Sequence, residues 1–121
     1  MTIAWLRLAA NQGDAKAQFN LGLLHHNGRG VPQDSAEAAK WYRKAAYQRH
    51  AEAQFFLGVM HIDGEGVAQD YVLAHMWFNL SAAQGFENAA KNRDITAGLM
   101  EPDQLALAER LAREWKPSSE R

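Results

Sequence analysis

Shifted against itself by 36 residues, the chain lays residues 14–49 over residues 50–85 with 16 identities in the 36 positions. The tryptophans Trp5, Trp41 and Trp77 keep the same step, as do the glutamines Gln12, Gln48 and Gln84. A period of this length is the mark of a solenoid, whose units cannot bury their apolar faces alone and must stack on one another. With 121 residues the chain has room for one domain of ordinary size, able to bury roughly two-thirds of the surface its unfolded form exposes.

Within a unit, DAKAQFNLGLLHHN and HAEAQFFLGVMHID set Ala17, Phe19, Leu21 and Leu24, or Ala53, Phe55, Leu57 and Met60, on a helical pattern without proline. These segments predict helix A of each unit. SAEAAKWYRKAAYQ and YVLAHMWFNLSAAQ predict helix B, rich in alanine where helices must approach closely. Asp34 supplies an N-cap and forms a capping box with Glu37, whereas the second copy keeps Asp70 but has Leu73. Gly22 and Gly58 stand mid-helix at a cost of up to about 1 kcal/mol each relative to alanine. Their recurrence predicts a close contact between helices. Between the helices, HHNGRGVPQD returns as HIDGEGVAQD. A phosphate-cradling loop would need a third glycine, a preceding strand and a lysine followed by Ser or Thr, so the decapeptide reads as the turn that ends helix A and reverses the chain.

Thirteen basic and fourteen acidic residues give a formal charge of −1. The positive field that concentrates phosphate backbones is missing, so nucleic acid is not an expected partner. The absence of cysteine removes disulfides, thiolate metal sites and a thiol nucleophile. The apolar start, MTIAWLRLAA, is broken by Arg7 and falls well short of the ~20 residues a spanning helix needs, so membrane insertion is not expected. It lacks the pattern of a secretory signal, and as written the chain reads as cytoplasmic. Its first residues lie mid-repeat, however, which leaves room for an upstream segment; a signal peptide there would place it in the periplasm.

AEAQFFLGVMHIDGEGVAQD and AQFNLGLLHHNGRGVPQDSAEAAKWYRKAA resemble Sel1-like repeats, with A-x-A-Q-x-x-L-G, G-x-G-V-x-x-D and W-[YF]-x-x-A-A in order, over about residues 4–85. The tail AAKNRDITAGLMEPDQLALAERLAREW is similar to the closing segment of many bacterial members. The resemblance implies an all-α, right-handed solenoid of antiparallel helix pairs, related to tetratricopeptide arrays, and a scaffold or adaptor role. In departure from the pattern, His25 and His61 stand where a tyrosine is common and Arg49 where a glycine is usual. Cysteine-rich members resembling secreted enzymes carry a disulfide in each unit, and this chain has none.

One domain over residues 1–116 is expected: a partial repeat at 1–13 with helix B only, full repeats at 14–49 and 50–85, a degenerate third at 86–100, and a capping helix at 101–116. Residues 117–121 are expected to fray. Pro102 suits the first turn of the capping helix, and Leu105, Ala108, Leu111, Ala112 and Trp115 share its inner face. At the other end, Trp5 and Leu8 are candidates for a self-associating apolar face, although the alignment with Trp41 and Trp77 points to inward packing for Trp5.

The identities between repeats cluster on the packing face, while Lys16, Asn20, Leu23 and Asn27 become Glu52, Phe56, Val59 and Asp63. Spaced four, three and four apart, they share one helix face and continue as Asn88, Asn92, Ile95 and Leu99. On the concave helix-A side this predicts a groove with an apolar centre at Phe56, Val59 and Ile95, suited to a helix or extended peptide. His25, His26 and His61 lack a carboxylate or cysteine placed to complete a metal set and read as packing residues. No serine lies in a G-x-S-x-G setting, so neither catalytic nor cofactor residues are assigned. The expected function is a scaffold that binds a protein or peptide through the helix-A face. The alternatives are a homodimer or assembly subunit formed through the N-terminal helix, and a hydrolase like the cysteine-rich relatives.

Overall fold

The computed structural model describes residues 2–117. Seven helices follow one another: α1 (Ile3–Asn11), α2 (Ala15–Asn27), α3 (Ser35–Ala46), α4 (Ala51–Asp63), α5 (Tyr71–Ala83), α6 (Glu87–Ala97) and α7 (Pro102–Glu114). There is no strand among the described residues. Residues 118–121, most of the tail expected to fray, lie outside them. Helices α2 and α3 form one pair and α4 and α5 the next; α1 leans on α2, α4 on α3, and both α6 and α7 on α5. The result is an all-α solenoid in which α2 and α4 are the A helices and α1, α3 and α5 the B helices.

The repeated decapeptide builds the same turn twice. Gly28 and Gly64, both at φ +67°, end the A helices in the left-handed region, where a side chain would be strained. The amides of Gly64 and Glu65 donate to Met60 O, and those of Asp34 and Asp70 donate to His25 O and His61 O. Gln33 and Gln69 donate their side-chain amides to His26 O and Ile62 O, satisfying further carbonyls at the helix ends. Asp34 and Asp70 then cap the B helices, their Oδ1 atoms accepting from the amides of Glu37 and Leu73. Each recurring side chain in the loop closes a backbone group that would otherwise lie open.

Neighbouring units are joined by glutamines. Gln18 Nε2 donates to Ala10 O at 3.0 Å, and Gln54 Nε2 to Ala46 O at 3.1 Å, the final turn of the preceding B helix in each case. Gln48 and Gln84 donate in turn to the Oε1 atoms of Gln18 and Gln54, both at 2.9 Å. Buried amides held on both sides avoid the desolvation cost of an unmade bond and fix the distance between units.

The central core runs through Phe19, Ala38, Tyr42, Ala53, Leu57, Met60 and Trp77, and a second cluster of Leu6, Ala10, Ala17, Leu21 and Trp41 ties α1 to the first pair. Fully burying a side chain such as Leu57 contributes about 1.5–3 kcal/mol. Gly22 and Gly58 face the rings of Tyr42 and Phe78, and a Cβ at Gly58 would sit 2.6 Å from Phe78 Cε1. The close helix contact expected at both glycines is present. On α7, Ala108 is buried, Leu111 and Ala112 pack on the core, and Trp115 meets Tyr47 and Trp77. The amide of Glu101 donates to Gln104 Oε1 at 2.9 Å, so the glutamine supplies the start of α7.

The inward packing expected for Trp5 is not found: Trp5 is 64% exposed, against 8% for Trp41 and 3% for Trp77. Trp41 fills the space between its own helix A and the preceding helix B, against Leu21 and Leu6. No helix pair stands before α1 among the described residues, so Trp5 has no such cleft to enter.

Candidate functional site

The predicted stripe lies on α2, α4 and α6. On α2, Lys16, Asn20, Leu23 and Asn27 join Ile3 and Leu6 of α1, Leu24 and Arg29 around an open recess of about 650 Å³. On α4, Phe56, Val59 and Asp63 join Phe55, Met60, His26 and Glu65 around a second recess of about 370 Å³. Lys16, Asn27, Glu52 and Asp63 are exposed, and Asn20, Leu23, Phe56 and Val59 are half-buried. Lys16, Asn20, Leu23, Asn27, Phe56, Val59 and Asp63 therefore line two neighbouring hollows, one per repeat, each with an apolar floor and a polar rim, while Glu52 lines neither.

Phe56 does more than line a hollow. Its ring meets Phe19 at 5.4 Å and Tyr42 at 5.6 Å, both edge to face, and packs against the central core across the junction between units. Val59 belongs to neither buried cluster. On α6, Ile95 is 67% exposed and lines neither hollow, while the Asn92 side chain donates to Asn88 O.

A bridge of three polar groups runs along the edge of the second hollow. The Tyr42 hydroxyl lies 3.2 Å from His26 Nδ1, and His26 Nε2 lies 3.1 Å from Glu65 Oε1. Burial, reinforced by the Glu65 carboxylate, pushes the Tyr42 hydroxyl well above its usual range, so it stays protonated. The hydroxyl and Nδ1 share one hydrogen bond, and Nε2 faces the Glu65 carboxylate. Arg29, Glu65 and this bridge were not among the residues expected from sequence, because the loop positions read as punctuation. Their only signal was that equivalent positions 29 and 65 carry opposite charges.

His25 and His61 are buried, and His61 Nδ1 lies 3.0 Å from Ala68 O. His50 takes the place of Asp14 in the repeat: its Nδ1 accepts from the Ala53 amide at 3.1 Å, capping α4, and its ring stacks on Phe19. Burial lowers the His50 pKa, opposed in part by Glu52 and reinforced slightly by Lys16, and the neutral ring is the form that can accept. Among the described residues, no three His, Asp or Glu side chains converge on a metal position. No helix among them is long and apolar enough to cross a membrane.

The Sel1 repeat matches the chain at residues 2–14, 15–50 and 51–86. No curated protein matches it. Among solved structures it is similar to a protective antigen of uropathogenic Escherichia coli strains that displays an SLR fold, with a TM-score of 0.89 and 40% identity. That similarity covers 93% of this chain and 24% of the antigen. It is also similar to a Sel1 repeat protein from Oxalobacter formigenes, with a TM-score of 0.75 and 41% identity over 76% of this chain and 38% of the other. The chain thus spans between a quarter and two-fifths of the length of these relatives. Matches that run through three successive units, on a fold shared at 40% identity, establish that this chain belongs to the Sel1 repeat family.

Proposed function

We propose that the chain is an interaction module that binds a protein or peptide segment along the helix-A face, through the hollow of Lys16, Asn20, Leu23 and Asn27 and that of Phe56, Val59 and Asp63. Proteins of Sel1 repeats are generally helical scaffolds for protein interaction, and the fold is typically non-catalytic. The observation that carries the reading is the contrast between the two faces of α2 and α4. Their packing residues, such as Gln18 and Gln54 or Leu21 and Leu57, repeat, while the residues over the hollows change. Packing explains conservation between repeats; it gives no reason for a coherent stripe to differ. Asn92 and the exposed Ile95 would extend the surface onto α6. Affinity capture with the unmodified chain and with Val59→Asp tests this, because Val59 stands outside both buried clusters. A specific partner should be retained by the first and lost by the second, and equal capture by both would count against the groove.

A second reading rests on α1. Trp5 and Leu8, 64% and 48% exposed, form an apolar face of the kind B helices elsewhere in the array bury. Self-association through it would make the chain a homodimer or assembly subunit. Light scattering should then show a larger species that Trp5→Glu dissociates; a monomer before and after the substitution removes this reading.

A further inference from the structure

The two hollows carry opposite charges. Lys16 and Arg29 rim the hollow of the first repeat. Thirty-six residues on, their places are taken by Glu52 and Glu65, and Asn27 is replaced by Asp63. Asp63 and Glu65 rim the second hollow, and Glu52 is exposed at the start of the same helix. All of these positions are exposed, and Lys16, Arg29, Glu52 and Asp63 form no ion pair among the described residues. Glu65 alone is engaged, with His26. Among the described residues none of these cations is ion-paired with one of these anions, so both are left to act on whatever lies over the face.

We propose that the segment bound there carries its own charge in two blocks: an acidic end over α2, a basic end over α4, and apolar anchors between. The inference rests on the helix-A-face reading above and specifies its partner. The floors ask for the anchors, since Leu6, Leu23 and Leu24 line one hollow and Phe55, Phe56 and Val59 the other. The rims ask for the blocks. The Debye length is about 8–10 Å near physiological ionic strength, so each exposed rim charge acts most strongly on the groups that lie directly over it. A ligand whose charges follow the same order along the face therefore meets an opposite charge at each rim. A uniformly acidic ligand, such as a nucleic-acid strand or an anionic lipid surface, gains over Lys16 and Arg29 but is repelled by Glu52, Asp63 and Glu65. A uniformly basic one meets the reverse. A two-block protein segment satisfies both, and like-charge juxtaposition rejects the others.

Synthetic peptides of about 18 residues, long enough for a five-turn helix, test this by fluorescence anisotropy. They share leucine and phenylalanine anchors and differ only in charge: one with a glutamate block followed by a lysine block, one with the same residues interleaved, one all-lysine and one all-glutamate. The two-block peptide should bind roughly tenfold tighter than the interleaved one at low salt, and the gap should close at about 1 M salt, where the Debye length is near 3 Å. In the double variant K16E/R29E the preference should pass to the all-lysine peptide. Equal binding of the two-block and interleaved peptides, an unchanged order in the variant, or no binding of any peptide would overturn the proposal. If Val59→Asp still abolishes capture of a natural partner, those results leave the helix-A-face reading intact; if it does not, that reading fails on its own test.

Discussion

Gln84 Nε2 donates to Gln54 Oε1 at 2.9 Å, and 36 residues earlier Gln48 makes the same bond to Gln18 at the same distance. Through their own Nε2 atoms, Gln18 and Gln54 hold the last turn of the preceding B helix at Ala10 O and Ala46 O. Each bond joins elements that differ in sequence position but hold the same place in the array. At both junctions these amides tie one unit to the next.

Gln54→Ala removes the buried amide that links Ala46 O to Gln84, leaving the Arg49 amide as the donor to that carbonyl, and should cost about 1–3 kcal/mol in urea unfolding. Gln84→Ala, at an exposed position where water can replace the lost donor, should cost less than about 1 kcal/mol. Equal losses from the two would mean that the buried half of the ladder has no special part in joining the units.

Gly58→Ala should destabilise although it improves helix propensity by about 1 kcal/mol. The new methyl would meet the buried ring of Phe78, and overpacking of that kind costs about 1–3 kcal/mol. In a Phe78→Leu background the penalty should shrink, because the obstructing ring atoms are gone. A penalty of the same size in both backgrounds would show that Phe78 is not what excludes the side chain.

Arg49 stands at φ +68°, the one described non-glycine residue with positive φ, between Gly13 and Gly85 at the equivalent turns. A left-handed conformation costs a residue bearing a Cβ about 1–2 kcal/mol, partly offset by the greater freedom of glycine in the unfolded chain. Arg49→Gly should therefore raise stability by roughly 0.5–1 kcal/mol, seen as a later urea midpoint with an unchanged slope.

The chain should lose stability as the pH falls below about 6.5. Burial lowers the pKa values of His50, His61 and His75 in the folded state. The unfolded chain takes up protons first, so stability is fully present above the ordinary histidine value and is lost as pH drops through the folded values. His50→Asn keeps a capping acceptor for the Ala53 amide and removes one of the three titrations. The dependence of unfolding free energy on pH between about 7 and 5 should be shallower in the variant; an identical curve would show that His50 does not titrate with folding.

Much of this architecture was legible in the sequence because the residues that hold it recur. The capping aspartates, the loop glycines and the mid-helix glycines each meet the same demand twice, so the 36-residue period reports them directly. What a single position does against a particular neighbour was less legible. Phe56 takes the place of Asn20 one repeat on, and that equivalence placed it on the binding stripe. Only its size, which lets it reach Phe19 and Tyr42 across the junction, makes it a packing residue as well. Trp5 matches Trp41 and Trp77 by number, but burial depends on a preceding pair, and α1 has none among the described residues. For His50, its place in the repeat, equivalent to the capping Asp14, was the available signal for the cap it forms.

The central claim is that partners bind on the helix-A face. The most direct measurement is NMR mapping of backbone amide shifts as the most tightly captured partner of the unmodified chain is added. The account predicts that the perturbed amides cluster at Lys16, Asn20, Leu23, Val59 and Asp63, with little change at Trp5 and Leu8. Perturbations confined to α1, or to the outer surfaces of α3 and α5, with α2 and α4 unmoved, would contradict it.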